Sequence, residues 1–208
     1  MSDNGPSGND LARSSPRTPM PPGMLVRELD LSDATVAATV HAVGLRAYAV
    51  EAELIGFDGI PALSESLQDM TARPLSWLGA VNDDGTVAAF VAWQTDTGRC
   101  LTHIDRVCVD PAWFRRGLAS CLLDHLLTKV ADSGRVRVST AAANQPAVKL
   151  YERFGFRRAA DFSPVPGLRM AQFVRNTERL SPGYTAAPCL ERPKSSQHLP
   201  QGQSPGRP

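Results

Sequence analysis

Hydrophobic residues alternate with polar ones along some stretches of this chain and recur at helical spacing along others, and the switches between the two periods mark out its elements. Met24 to Leu29 predicts a short strand. Ser32 or Asp33 then offers an N-cap, and Val36, Val40, Val43, Ala47 and Val50 follow at helical spacing, which predicts a long helix towards Ile55. Gly56-Phe57-Asp58-Gly59 breaks that pattern, and Pro61 to Met70 reads as a second helix whose proline sits in the first turn, where a missing N–H is tolerated. Leu75 to Asn82 and Thr86 to Thr95 are strand-like and joined by Asp83-Asp84-Gly85, a hairpin signal that makes them antiparallel neighbours. Arg99 to Val109 continues the meander and stops at Asp110-Pro111, because proline removes a ladder donor.

The helical period then returns. Ala119, Leu122, Leu123, Leu126, Leu127 and Val130 form one stripe along Leu118 to Val130, ended by Gly134. Arg135 to Thr140 is a further strand, so strand, helix and strand form a crossover unit whose strands run parallel. Asn144 caps a shorter helix with Ala147, Leu150, Tyr151 and Phe154 on one face, closed by Gly155. Phe156 to Arg158 and Arg169 to Arg175 read as a last strand pair, joined by a loop over Ala159 to Gly167. The expected fold class is α/β: a mixed, mostly antiparallel central sheet flanked by helices.

Composition narrows the picture. Residues 1–22 and 177–208 are rich in Gly, Ser and Pro without regular apolar spacing, and both are expected to be disordered tails around a domain at 23–176. The formal net charge is +1 with acids and bases evenly mixed, which leaves no electrostatic footprint for nucleic acid. No apolar run reaches membrane-span length and the start lacks a signal pattern, so no membrane partner and a cytoplasmic location are expected, with a homodimer left open. Cys100, Cys108 and Cys121 sit in apolar segments and are expected to fill core, while Cys189 lies in the tail; no His/Cys/carboxylate cluster suggests a metal.

The first candidate chemistry is the helix start at Phe114-Arg115-Arg116-Gly117-Leu118-Ala119-Ser120. Free N–H groups at a helix mouth, the macrodipole and a glycine that admits close approach together make an anion site; a small residue for tight helix packing is the plainer reading of Gly117 and Ala119. The second is Asn144-Gln145-Pro146-Ala147-Val148-Lys149-Leu150-Tyr151-Glu152-Arg153-Phe154-Gly155-Phe156.

In this order the two motifs resemble those of the GCN5-related N-acetyltransferases, over nearly all of Met24 to Arg175. The first is similar to the family's pyrophosphate loop, with Gly117 and Ala119 matching and Phe114 standing where the family has Arg or Gln; Arg115 or Arg116 could supply the charge instead. The second is similar to the family's Asn-x-x-Ala-x-x-Leu-Tyr-x-x-x-Gly-Phe run. The resemblance implies a splayed central strand pair and acetyl-CoA as acyl donor, with Val107 and Val109 offering backbone bonds to the pantetheine arm, Asn144 contacting its amides and Tyr151 beside the sulfur. It implies transfer of an acetyl group to the amine of a small molecule or peptide, or alternatively a non-catalytic acyl-CoA-binding or regulatory module. An interaction protein working through its proline-rich tail is a third reading, without a recognisable docking motif.

Direct transfer needs a neutral amine, and deprotonating an ordinary alkyl ammonium at pH 7 costs about 4.6 kcal/mol. His103 and Asp105 are the first candidate bases, because alternation places them on the face of Val107 and Val109 unless a bulge intervenes. Glu51 and Glu53 are the second choice and candidate acceptor contacts; a water chain could replace them all. The helical hairpin Val50 to Met70 and the loop Ala159 to Gly167 are expected to cover the amine end.

Overall fold

The computed structural model describes residues 19–131 and 134–177. Seven strands form one sheet in the order β1-β2-β3-β4-β5-β7-β6: Met24–Glu28, Ser76–Asn82, Val87–Asp96, Leu101–Val109, Gly134–Ala141, Arg157–Val165 and Leu168–Thr177 are β1 to β7. Every neighbouring pair is antiparallel except β4 with β5. The helices α1 (Ala34–Ile55), α2 (Leu67–Ala72), α3 (Leu118–His125) and α4 (Gln145–Arg153) cover the two faces. Expected tail positions 1–18 and 178–208 lie outside the described residues. Within residues 19–22, expected as tail, Met20 rests on the core and the Pro19 carbonyl accepts from the Cys121 thiol.

Two cores fix which helix lies on which face. Leu118, Leu122 and Leu123 of α3, Leu126 just after it, and Val148 and Tyr151 of α4 pack with Val136 and Val138 of β5 and Phe173 of β7. On the other face Val40 and Val43 of α1 and Met70 of α2 pack on Trp77, Phe90 and Cys108. Asp33 starts α1 by accepting from the Thr35 and Val36 amides, and Gly56 ends it in the left-handed conformation. The expected helix over Pro61 to Met70 divides into a 3₁₀ turn, Pro61–Leu63, and α2, because Ser66 caps a new helix through the Asp69 amide. The expected Leu118–Val130 helix is α3 followed by a π-helical turn over Leu126–Val130. The expected loop Ala159 to Gly167 is instead mostly β6, an edge strand along β7 whose side chains are nearly all exposed.

Cys100 does not fill core: it is exposed and left-handed (φ 47°), closing the turn into β4. Its carbonyl accepts from the Arg135 amide at 2.8 Å, which sets the β4–β5 register. Gly134 makes that approach feasible, since a Cβ there would lie 2.5 Å from the Cys100 oxygen and its φ is 101°.

Candidate active site

β4 and β5 pair only over Leu101–Ile104 and Arg135–Val138, then part, although β4 runs on to Val109 and β5 to Ala141. A bulge marks the parting. Ala92 faces Arg106 while Trp93 faces Ile104, so Asp105 is the extra residue on β4. The bulge also reverses the alternation: Ile104 belongs to the α3/α4 core, and so do Val107 and Val109, whereas Cys108 belongs to the α1/α2 core. The expectation that His103 and Asp105 share a face with Val107 and Val109 is therefore corrected. His103 lies on the α1/α2 face with Arg106 and Cys108.

Asp105 is engaged by two guanidiniums, those of Arg73 and Arg106. The buried Arg106 also grips Glu65 through two bonds of 2.6 and 3.2 Å, and Arg73 reaches Glu65 as well. Burial pushes the Glu65 carboxyl up, but Arg106 and Arg73 outweigh it and hold the group below its ordinary value. Sequence patterning gave no sign of this network, because Arg106 occupies an alternating strand position that reads as core or surface. His103 is depressed by burial first, then by Arg137 and Arg73, with Asp105 opposing; it is neutral at pH 7.

On the other side of the parting, α3 opens with unusual backbone. Arg115 (φ 61°) and Gly117 (φ 81°) are both left-handed, and Gly117 is the N-cap without a side-chain cap bond, so the first-turn amides of Leu118, Ala119 and Ser120 keep no side-chain acceptor among the described residues. Arg116 stacks on Trp113 at 4.6 Å, Arg115 and Phe114 are exposed, and Leu118 is buried. The Ser120 hydroxyl is spoken for by Arg153 at 2.6 Å. An anionic diphosphate fits this mouth through backbone N–H groups and the helix dipole, with flanking arginines.

Asn144 and Glu51 join at the open end, and Tyr151 of α4, the helix that Asn144 caps, lies near enough to feel the Glu51 charge. The Asn144 carbonyl oxygen caps α4 by accepting from the Ala147 amide, and its amide group donates to Glu51 at 2.9 Å. Tyr151 is buried against Phe156 and Phe173. Burial first, then Glu51 and Cys108, hold its phenol far above the ordinary range, so it stays protonated as a donor. Cys108 is pushed up to about 12 by burial, against the opposing pull of Arg106 and a hydrogen bond with Tyr48. Tyr48 escaped the sequence reading because an aromatic on a helical stripe looks like core. Glu53 is exposed on α1 and stands apart from this group. A cavity of about 590 Å³ bounded by Glu28–Ser32, Thr71, Arg73, Leu75–Trp77 and Trp93 lies off the fork and takes no lining from β4, β5 or α4.

The model of the Acetyltransferase (GNAT) family matches residues 47–156, a span that contains the fork, the α3 mouth and α4. The chain belongs to the GNAT acetyltransferase family. Among relatives of this GNAT chain, UPF0157 protein YqkA of Bacillus subtilis (strain 168) is 34% identical over 179 residues, covering 84% of this chain and 51% of that protein. Mycothiol acetyltransferase of Clavibacter sepedonicus is 30% identical over 143 residues, covering 68% of this chain and 45% of that protein. The chain spans about half the length of the curated relatives it matches. The fold agrees with the ribosomal-protein-S18-alanine N-acetyltransferase from Escherichia coli, at a TM-score of 0.60 and 18% identity over 81% of this chain and 99% of that one. It agrees also with yncA from Salmonella typhimurium, solved with its cofactor acetyl-CoA, at a TM-score of 0.55 and 15% identity over 78% and 99% of the two chains. Among the described residues no helix is long and apolar enough to cross a membrane, and no group of three or more His, Cys, Asp or Glu could hold a metal.

Proposed function

We propose that this GNAT chain is an N-acetyltransferase that moves the acetyl group of acetyl-CoA onto the amine of a small molecule or peptide by direct transfer, in the cytoplasm. The observation that carries this reading is the fork between β4 and β5 beside a helix mouth whose amides keep no side-chain acceptor among the described residues, with a buried phenol at its open end. Bound there, acetyl-CoA supplies an activated thioester carbon, to which the acceptor nitrogen bonds as the carbon–sulfur bond breaks.

The protein's own residues divide the remaining work. First-turn amides from Leu118 to Ser120, helped by Arg115 and Arg116, hold the diphosphate. The backbone of Val107 and Val109, on the parted stretch of β4, offers strand-like hydrogen bonds. Tyr151 remains protonated and donates to the departing sulfur. Glu51, fixed by Asn144, faces the acceptor ammonium and takes the proton it sheds. His103, neutral and half-buried at the base of the fork, is the alternative acceptor of that proton, while Asp105 positions arginines instead.

Purified protein mixed with acetyl-CoA and a panel of amines, with coenzyme A and acetylated product quantified by chromatography and mass, tests the proposal. Stoichiometric appearance of both is expected. Cofactor binding without transfer to any amine would favour the non-catalytic acyl-CoA-binding module.

A further inference from the structure

Arg137 has no role in the site as described, yet its surroundings are specific. Val136 and Val138 pack into the α3/α4 core, so Arg137 between them lies on the opposite face of β5, where His103 is its register partner and feels its charge. It stands one residue below Val138, the last pair before the fork opens, a step of about 3.3 Å along the strand. Arg137 is only partly exposed, and its Nε is buried without a hydrogen-bond partner among the described residues. The nearby carboxylates are already matched: Asp105 and Glu65 each pair with both Arg73 and Arg106. A buried donor on a charged group that nothing satisfies is costly, and a ligand carboxylate would supply the missing partner.

The far end of the same cleft is narrowed. The Phe57 ring, just past α1, lies against Gly167 in the β6–β7 turn, since a Cβ on that glycine would sit 3.1 Å from the ring. Both groups bracket the open arm of the fork: α1 reaches Asn144 through Glu51, and β7 pairs Met170 with Ala141 at the end of β5. A contact across that mouth suits a small acceptor better than a continuous peptide.

We propose that the acceptor is a small amino acid, an amine carrying a carboxylate a few bonds away, with its carboxylate paired to Arg137 at the base of the cleft. This rests on the acetyltransferase reading above. The guanidinium offers a planar, permanently charged fork suited to a carboxylate.

The test uses the full chain with matched acceptors: amino acids, their carboxamides, and the amines left when the carboxyl is removed. Wild type should show a kcat/KM at least tenfold higher for the carboxylate-bearing member of each set. Arg137→Gln should erase that preference through KM while leaving the carboxamides and coenzyme A binding unchanged, and Arg137→Lys should restore part of it. Equal use of carboxylates and carboxamides by wild type, or an equal loss on both in Arg137→Gln, overturns the proposal. The same panel titrated calorimetrically into protein saturated with coenzyme A reads the anion preference without turnover. Preference there with no transfer to any amine would sink only the acetyltransferase reading; transfer without preference would sink only the Arg137 site.

Discussion

Tyr151→Phe removes one oxygen from the proposed site and little else. The ring is 4% exposed and lies 5.8 Å, centroid to centroid, from both Phe156 and Phe173, contacts that phenylalanine keeps, so stability should change by less than about 1 kcal/mol. A hydrogen bond to a developing thiolate is charge-assisted and worth about 1.5–3 kcal/mol, which corresponds to about 10- to 150-fold in rate. Because burial raises the phenol, followed by the charges of Glu51 and Cys108, Tyr151 contributes no alkaline loss of activity below about pH 10. The sign extends to folding: with the folded value raised, any stability linked to the protonated phenol is whole below the unfolded value near 10 and lost only above it. Steady-state rates of coenzyme A release for wild type and variant, from neutral pH to about pH 9.5, give the answer. The expected result is kcat lowered by about 10- to 150-fold with KM for acetyl-CoA within about twofold and parallel pH profiles. An unchanged kcat, or a wild-type alkaline limb that disappears in the variant, would refute the assignment.

Further outcomes follow from the same geometry. Glu65→Ala strands the buried Arg106 with Asp105 alone and should cost about 3 kcal/mol in chemical denaturation. Since the folded Glu65 carboxyl is held low, the stability it contributes is present above its unfolded value near 4.5 and lost as pH falls through the folded one; the gap between wild type and Glu65→Gln in denaturant midpoint should close on acidification. Gly134→Ala puts a Cβ 2.5 Å from the Cys100 carbonyl at a φ of 101° and should lower the melting midpoint by the equivalent of about 2 kcal/mol or more, with the β4–β5 amides losing hydrogen-exchange protection first.

The sequence was most informative where one period ran long enough to declare itself. The α1 stripe, the hairpin at Asp83-Asp84-Gly85 and the stripe of α3 all carry strong periodicity or punctuation, and the structure places those elements where the pattern does. The start of β6 is legible as a strand, but from Ala159 onward it reads as a loop, because an edge strand with nearly all its side chains in solvent shows no alternation to detect. The division before α2 was hidden because Ser66 reads as an ordinary polar position until its hydroxyl is seen accepting from the Asp69 amide.

In the site, the α3 mouth and the Asn144 to Phe156 run were legible as contiguous motifs. The face of His103 was not, because a single extra residue at Asp105 reverses every side chain after it and leaves no compositional trace. Glu51 against Asn144 and Arg106 against Glu65 span 93 and 41 positions, so only the fold brings them together.

The proposed function depends above all on backbone amides at the mouth of α3 holding the diphosphate of coenzyme A. Calorimetric titration of coenzyme A into wild type and into Gly117→Asp, which sets a carboxylate at that mouth, addresses it directly. Saturable one-to-one binding by wild type is expected, weakened at least about tenfold in a variant that remains folded. Folded wild type that binds no coenzyme A, or Gly117→Asp that binds it as tightly, would contradict it.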